Sequence, residues 1–209
     1  VSLFAAEDGI ECRVRFGPGY AVWEKSGARV TAFVPLDAAA RILIIENAPG
    51  RVVWHSSLQL AAEARDGIFT VTRPEKAALT AENPRGGMSF AAAFSEEADA
   101  FTCDEAAFRA GRLGGEHGAG LAPCFAAAFN GCERLVIACG CCGLDGLRRL
   151  ARYENAAVEL ERVRARFDRL CTLRIATGIP ELDRYAGRWA VYQVLACRIL
   201  ARASLYQSG

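Results

Sequence analysis

The hydrophobic period of this chain changes once, near Gly143, and that change constrains the fold more than any other feature. Before it, apolar residues alternate with polar ones or form short runs cut by Gly and Pro turns, the signature of strands. After it, the spacing becomes three to four residues, the signature of amphipathic helices. A mainly β unit followed by an α unit is therefore predicted.

The strand region reads as follows. Glu11 to Phe16 alternates and is broken by Gly17-Pro18-Gly19. Tyr20 to Lys25 and Arg29 to Val34 flank the turn Ser26-Gly27, a hairpin pattern. Arg41 to Glu46 precedes the turn Asn47-Ala48-Pro49-Gly50, and a long run extends from Val52 to Ala64. Further strands are expected at Ile68–Thr72, Lys76–Glu82, Ser89–Phe94, Cys124–Phe129 and Arg134–Cys139. So many short strands with frequent turns predict a largely antiparallel sandwich.

Beyond Gly143, helices are predicted at Asp145–Tyr153 and Ala156–Leu170, the second carrying Leu160, Val163, Phe167 and Leu170 on one face. Thr172 to Thr177 reads as extended. Pro180 suits a first helical position, with Glu181 and Asp183 in the first turn. From there Leu182, Tyr185, Trp189, Tyr192, Ala196 and Ile199 trace a stripe to about Ala203, while Val191, Val194, Leu195 and Leu200 make other faces apolar too. Such a helix needs neighbours on several sides. Val1 opens within strand-like sequence, the sole methionine is Met88, and the chain closes on Tyr206-Gln207-Ser208-Gly209 without a polar tail. An internal piece of a longer protein is expected.

The net charge of +1 gives no electrostatic reason to expect nucleic acid or acidic lipid. Residues 143–209 hold 12 Lys and Arg against 7 Asp and Glu, which we read as solvated faces of amphipathic helices. No apolar run reaches the roughly 18 residues of a membrane span. The nine cysteines lack the regular spacing of a disulfide framework and favour a reducing, cytoplasmic setting. Cys139, Cys141 and Cys142 resemble a metal cluster, yet a closed zinc site needs four ligands and the histidines are only His55 and His117. No metal and no cofactor are expected.

The glycines from Gly111 to Gly120 lack the strand–helix setting of a nucleotide fingerprint and read as a loop. His55, beside Trp54 in a strand-like run, reads as structural. Tyr20, Trp23 and Trp54 could stack on sugar rings, but aromatics in sandwiches more often belong to the core. The carboxylate pairs Glu96-Glu97 and Asp104-Glu105 read as loop residues, and no catalytic residue is assigned.

Gly187-Arg188-Trp189-Ala190-Val191-Tyr192-Gln193-Val194-Leu195-Ala196-Cys197-Arg198, continuing through Arg202 to Tyr206-Gln207-Ser208-Gly209, resembles a segment of glycoside hydrolase family 94. That family was formerly called glycosyltransferase family 36. The wording is closest to the C-terminal region of cyclic β-1,2-glucan synthases and to β-1,2-oligoglucan phosphorylases. Glu82-Asn83-Pro84, Phe108-Arg109-Ala110-Gly111-Arg112 and Gly120-Leu121-Ala122-Pro123-Cys124 resemble the family's sandwich domain in the same order. Leu200, Ala203-Ser204 and Leu205 depart from the family wording.

The resemblance implies an antiparallel super-sandwich over residues 1–142, a helical linker over 143–175, and the first helix of an (α/α)6 catalytic barrel over 176–209. It implies an inverting glycoside phosphorylase or glucan-processing parent, with inorganic phosphate as co-substrate and a β-glucan or oligosaccharide as partner. The parent could be anchored in a bacterial inner membrane. The family's glucosyl-binding Gly-Phe-Arg-Asp-Gln segment and its catalytic acid would follow Gly209, which leaves this chain inactive alone. Arg202, Tyr206, Gln207 and Ser208 are the substrate-binding candidates, near the glycone site, with packing or capping of the barrel helix as the competing role. The remainder of the same polypeptide, and a second copy in a homodimer, are the other partners implied. Two further readings stand beside this one: a non-catalytic carbohydrate-binding or oligomerisation module, and an inert gene remnant.

Overall fold

The structure is a computed structural model that describes residues 12–58, 69–83, 89–114, 118–120 and 123–194. Two antiparallel sheets pack face to face, and helices cover the back of the larger one. The larger sheet has nine strands in the order β1-β2-β3-β4-β12-β8-β7-β6-β10. Its strands are β1 (Arg13–Gly17), β2 (Tyr20–Lys25), β3 (Ala28–Phe33), β4 (Ala40–Glu46), β6 (Phe69–Glu75), β7 (Ala78–Glu82), β8 (Ser89–Phe94), β10 (Gly118–Gly120) and β12 (Arg134–Gly140). The smaller sheet is β5 (Arg51–Ser57), β11 (Pro123–Asn130) and β9 (Ala100–Asp104), in that order.

The β2–β3 hairpin shows how local chemistry sets the register. Ser26 and Gly27 both take positive φ, 51° and 85°, as a tight two-residue hairpin turn requires. That turn aligns Lys25 with Ala28 and Trp23 with Val30. In β4, by contrast, Ile42, Leu43, Ile44 and Ile45 are all buried. The continuous apolar run follows from cover on both faces: Leu43 and Ile45 enter the core between the sheets, while Ile42 and Ile44 meet the helices. β12 repeats the pattern, with Leu135, Ile137 and Cys139 on one face and Val136 and Ala138 on the other.

The helical layer consists of α2 (Leu144–Leu150) and α3 (Tyr153–Leu170). Ala156, Leu160, Val163 and Phe167 of α3 are buried against the large sheet together with Leu147 and Leu150 of α2. Alanines 91, 92 and 93 let β8 fit closely between the core and α2. The chain then runs from Cys171 to Ile179 outside any helix or strand, and Thr172–Thr177, read as extended, joins neither sheet. α4 (Pro180–Arg184) begins with proline at its first turn, as the sequence predicts. It continues through a wide turn at Tyr185–Trp189 with π-helical bonding into α5 (Ala190–Val194).

Several expectations are revised. β9 and a short helix, α1 (Glu105–Arg109), occupy the region read as an acidic loop. Gly118–Gly120 pairs with Phe69–Val71 as a sheet edge instead of remaining loop. In keeping with the core role expected of sandwich aromatics, Trp54 lies in the core at 3% exposure and Trp23 packs against the same cluster. Tyr20 packs on the helix side with the Arg164 guanidinium 4.8 Å from its ring centroid. The tail of the run read as far as Ala64 lies outside the described residues.

One polar contact ties α3 to the large sheet and gives a pH signature. The Tyr153 hydroxyl donates to Glu46 Oε1 at 3.0 Å, with the Arg134 guanidinium 4.7 Å from the ring centroid. Donation to Glu46 first, then burial and the Glu46 charge, push the phenol above its ordinary value. The folded state thus holds this proton more tightly than the unfolded chain. The contribution is complete below about pH 10 and is lost as pH rises through the folded value. Tyr153→Phe is expected to cost about 1 kcal/mol at neutral pH. In urea titrations the gap between the two proteins should close above pH 10.

Candidate functional site

The outer face of the small sheet carries the most chemically distinct cluster among the described residues. In β5 the side chains alternate, so Trp54 points into the core and His55 and Ser57 point outward. β11 runs antiparallel alongside and sets Ala126 opposite His55 and Cys124 opposite Ser57. Phe125 faces the opposite way, into the core. Cys124 therefore shares the outer face with His55 and Ser57.

The fourth member arrives on α1. Asp104 ends β9 and caps the helix, its carboxylate accepting from the Ala106 amide at 2.8 Å. The cap fixes the first turn, which places Glu105 over β5. His55 Nε2 lies 2.8 Å from Glu105 Oε2, and the Ser57 hydroxyl donates to the same oxygen at 3.1 Å. Arg109 Nε, one turn along, donates to Oε1 at 3.1 Å. Phe108 stacks flat on the His55 ring, with centroids 4.1 Å apart and planes 3° from parallel. The side chains of His55 and Glu105 are 22% and 13% exposed, so the cluster is sheltered but open to solvent at the imidazole.

Burial of Glu105 would raise its pKa, but donation by His55 and Arg109, the His55 charge and donation by Ser57 together hold it below the usual carboxylate range. Cys124 goes the other way. Burial, reinforced by the charges of Glu105, Cys103 and Asp104, pushes its thiol up to about 12. Its hydrogen bond is a long one, 4.0 Å to the Thr102 carbonyl.

These features exclude some chemistries. His55 and Ser57 both donate to one oxygen of Glu105, so the imidazole does not bridge hydroxyl and carboxylate as a nucleophile-activating triad demands. A protonated, buried thiol is not a nucleophile. A carboxylate ionised by three donors is a poor general acid, because that role needs a raised pKa. The cluster can hold a proton network, or it can hold a cation.

Sequence reading placed His55 as structural and Glu105 in a loop, and so missed the pairing. The strand period that separates Trp54 from His55 marks His55 as outward-facing, but no local pattern brings Glu105 to it. The substrate-binding candidates Arg202, Tyr206, Gln207 and Ser208 lie outside the described residues, as does His117.

No family model matches the chain, and no curated protein sequence does. Among solved structures, the fold is similar to part of a family GH92 inverting mannosidase from Bacteroides thetaiotaomicron VPI-5482. The TM-score is 0.50 at 13% identity, over 76% of this chain and 23% of the mannosidase. The chain thus spans about a quarter of the length of that protein. At this identity the likeness shows the fold, a β-sandwich of a kind present in a carbohydrate-active enzyme. No helix among the described residues is long and apolar enough to cross a membrane.

Proposed function

We propose that this chain is the sandwich-and-linker portion of a carbohydrate-active enzyme, of the inverting glycoside phosphorylase or cyclic β-1,2-glucan synthase type. The observation that carries the reading is the order of layers. A β-sandwich leads into helices packed on its own large sheet, and then into a helical stretch in which Tyr192 packs on Phe167 while several other apolar side chains stay exposed. Leu182, Tyr185 and Val194 are 46%, 58% and 58% exposed, on more than one face of the stretch. A continuing helical domain of the same polypeptide would bury them. The likeness to a sandwich within a glycoside hydrolase supports the same class.

In this reading residues 1–142 form the scaffold, 143–175 the linker and 176–209 the first helix of an (α/α)6 barrel. Arg202, Tyr206, Gln207 and Ser208 would approach the glycone of a β-glucan. Inorganic phosphate would attack the anomeric carbon from the face opposite the leaving group, while a carboxylic acid supplied by the barrel protonates the glycosidic oxygen. No cofactor is required, and the proposed setting is cytoplasmic.

The test is phosphate-dependent release of glucose 1-phosphate from β-1,2- and β-1,4-linked oligoglucosides by the product of the whole reading frame. Activity is expected there and not from residues 1–209 alone. A full-length product that lacks a helical domain, or that yields no sugar phosphate on any β-glucan, overturns the reading. In that case sugar binding by the sandwich without turnover would favour a non-catalytic binding module.

A further inference from the structure

We propose that His55, Glu105 and Cys124 form a binding site for one zinc-type divalent cation on the outer face of the small sheet. One donor atom from each residue falls within 4.8 Å of the other two. Bonds of about 2.0–2.3 Å in a tetrahedral site place donor atoms about 3.3–3.8 Å apart. The present arrangement reaches that spacing by side-chain adjustments of about 1 Å. Ser57 Oγ, already 3.1 Å from Glu105, or a water molecule would complete four-coordination.

The donor set selects the metal class. A thiolate and an imidazole disfavour magnesium and calcium, which take oxygen ligands, and suit zinc, cobalt or nickel. Charge also balances, since a divalent cation with one thiolate, one carboxylate and a neutral imidazole leaves the half-buried site neutral. On coordination the Cys124 S–H bond breaks, a sulfur–metal bond forms, and the proton passes to solvent.

The surroundings hold these donors as outer partners of metal ligands do. Arg109 fixes the far oxygen of Glu105, Asp104 anchors the turn that carries it, and Phe108 fixes the plane of the imidazole. Backbone pairing of β5 with β11 sets the thiol directly across from Ser57. A purely hydrogen-bonded cluster accounts for Glu105, with its three donors. It does not account for a thiol facing this carboxylate with, among the described residues, only a 4.0 Å contact of its own. The cation would staple α1 to the small sheet, whatever the parent enzyme does.

Cobalt(II) is the probe, added to the reduced, metal-stripped chain. One equivalent is expected to bind, with a sulfur-to-cobalt charge-transfer band and visible bands of tetrahedral intensity. Cys124→Ala removes the sulfur band, and His55→Ala weakens binding by at least the roughly 10–100-fold that loss of an outer partner alone can cost. The Cys141→Ser/Cys142→Ser double variant keeps the signal unchanged. Circular dichroism of each variant checks folding, and the partly exposed His55 position gives a second variant should Cys124→Ala fold poorly. Absence of the band in the parent chain, or its persistence in both single variants, overturns the proposal, the latter by placing the cobalt on other thiols.

Discussion

Alanine in place of Gly140 is expected to destabilise the fold strongly. Gly140 ends β12, the strand that lies between β4 and β8 in the centre of the large sheet. It pairs with Ala40 on one side and with Ala91 on the other. A Cβ at this position would stand 2.1 Å from the Ala39 carbonyl oxygen, 2.6 Å from Ala40 Cα and 3.0 Å from the Ala39 carbonyl carbon. All three are backbone atoms, so no side-chain rotation relieves the clash. The Ala39 oxygen also accepts from the Cys141 amide at 2.9 Å, and moving it breaks that bond. Overpacking commonly costs about 1–3 kcal/mol, and a clash confined to backbone in a central strand belongs at or beyond the upper end.

Gly146→Ala is the matched control. Its added Cβ would meet only Cys142 Sγ at 3.7 Å, an ordinary contact inside α2. It should stabilise the protein by about 0.4–1 kcal/mol through a less flexible unfolded chain. Urea midpoints of the two variants should therefore move in opposite directions. Equal midpoints would show that the Ala39–Ala40 corner yields, and that β12 does not fix the register of the sheet centre.

What was legible in the sequence follows the range of the forces involved. The Ser26-Gly27 hairpin, the Pro180 helix start and the Leu160–Val163–Phe167 face are local patterns, and the structure places each where the sequence predicts it. β9 and α1 were not legible. A helix of five residues shows less than two turns of period, and Asp104 reveals its capping role only once Ala106 is above it. The His55–Glu105 contact spans 50 positions, and the strand pairing that creates it also depends on Cys124 and Ala126. No local pattern encodes such a meeting.

The stripe from Leu182 onward was read as one regular helix, yet a wider turn interrupts it at Tyr185–Trp189. Gly187 lies within that turn, and a Cβ there would come within 2.9 Å of the Leu173 carbonyl oxygen. The glycone candidates beyond Val194 rest on family wording alone.

Phe125→Ala is expected to cost about 3–5 kcal/mol, the range for deleting a fully buried aromatic side chain. Phe125 has no exposed surface and lies on the inner face of β11, the middle strand of the small sheet. Its ring centroid is 5.8 Å from Phe90 on the large sheet and 6.3 Å from Trp54 on the neighbouring β5. Trp54 and Phe129 each meet Phe94 edge-on, at 5.6 and 5.1 Å, so five aromatic rings form one cluster across the two sheets. Removing the ring leaves a cavity that rigid backbone on both sides cannot close, because β11 is hydrogen-bonded on both edges. Domains of this kind hold about 5–15 kcal/mol in all, so the loss would be a large share of the total stability. Val158→Ala, on the outer side of α3 at 59% exposure, should change stability by less than about 0.5 kcal/mol. If chemical denaturation gave Phe125→Ala a loss below about 1 kcal/mol, the cluster could not be clamping the small sheet. The rigid framework required to hold His55, Glu105 and Cys124 together would then be missing, and a preformed cation site would fail with it.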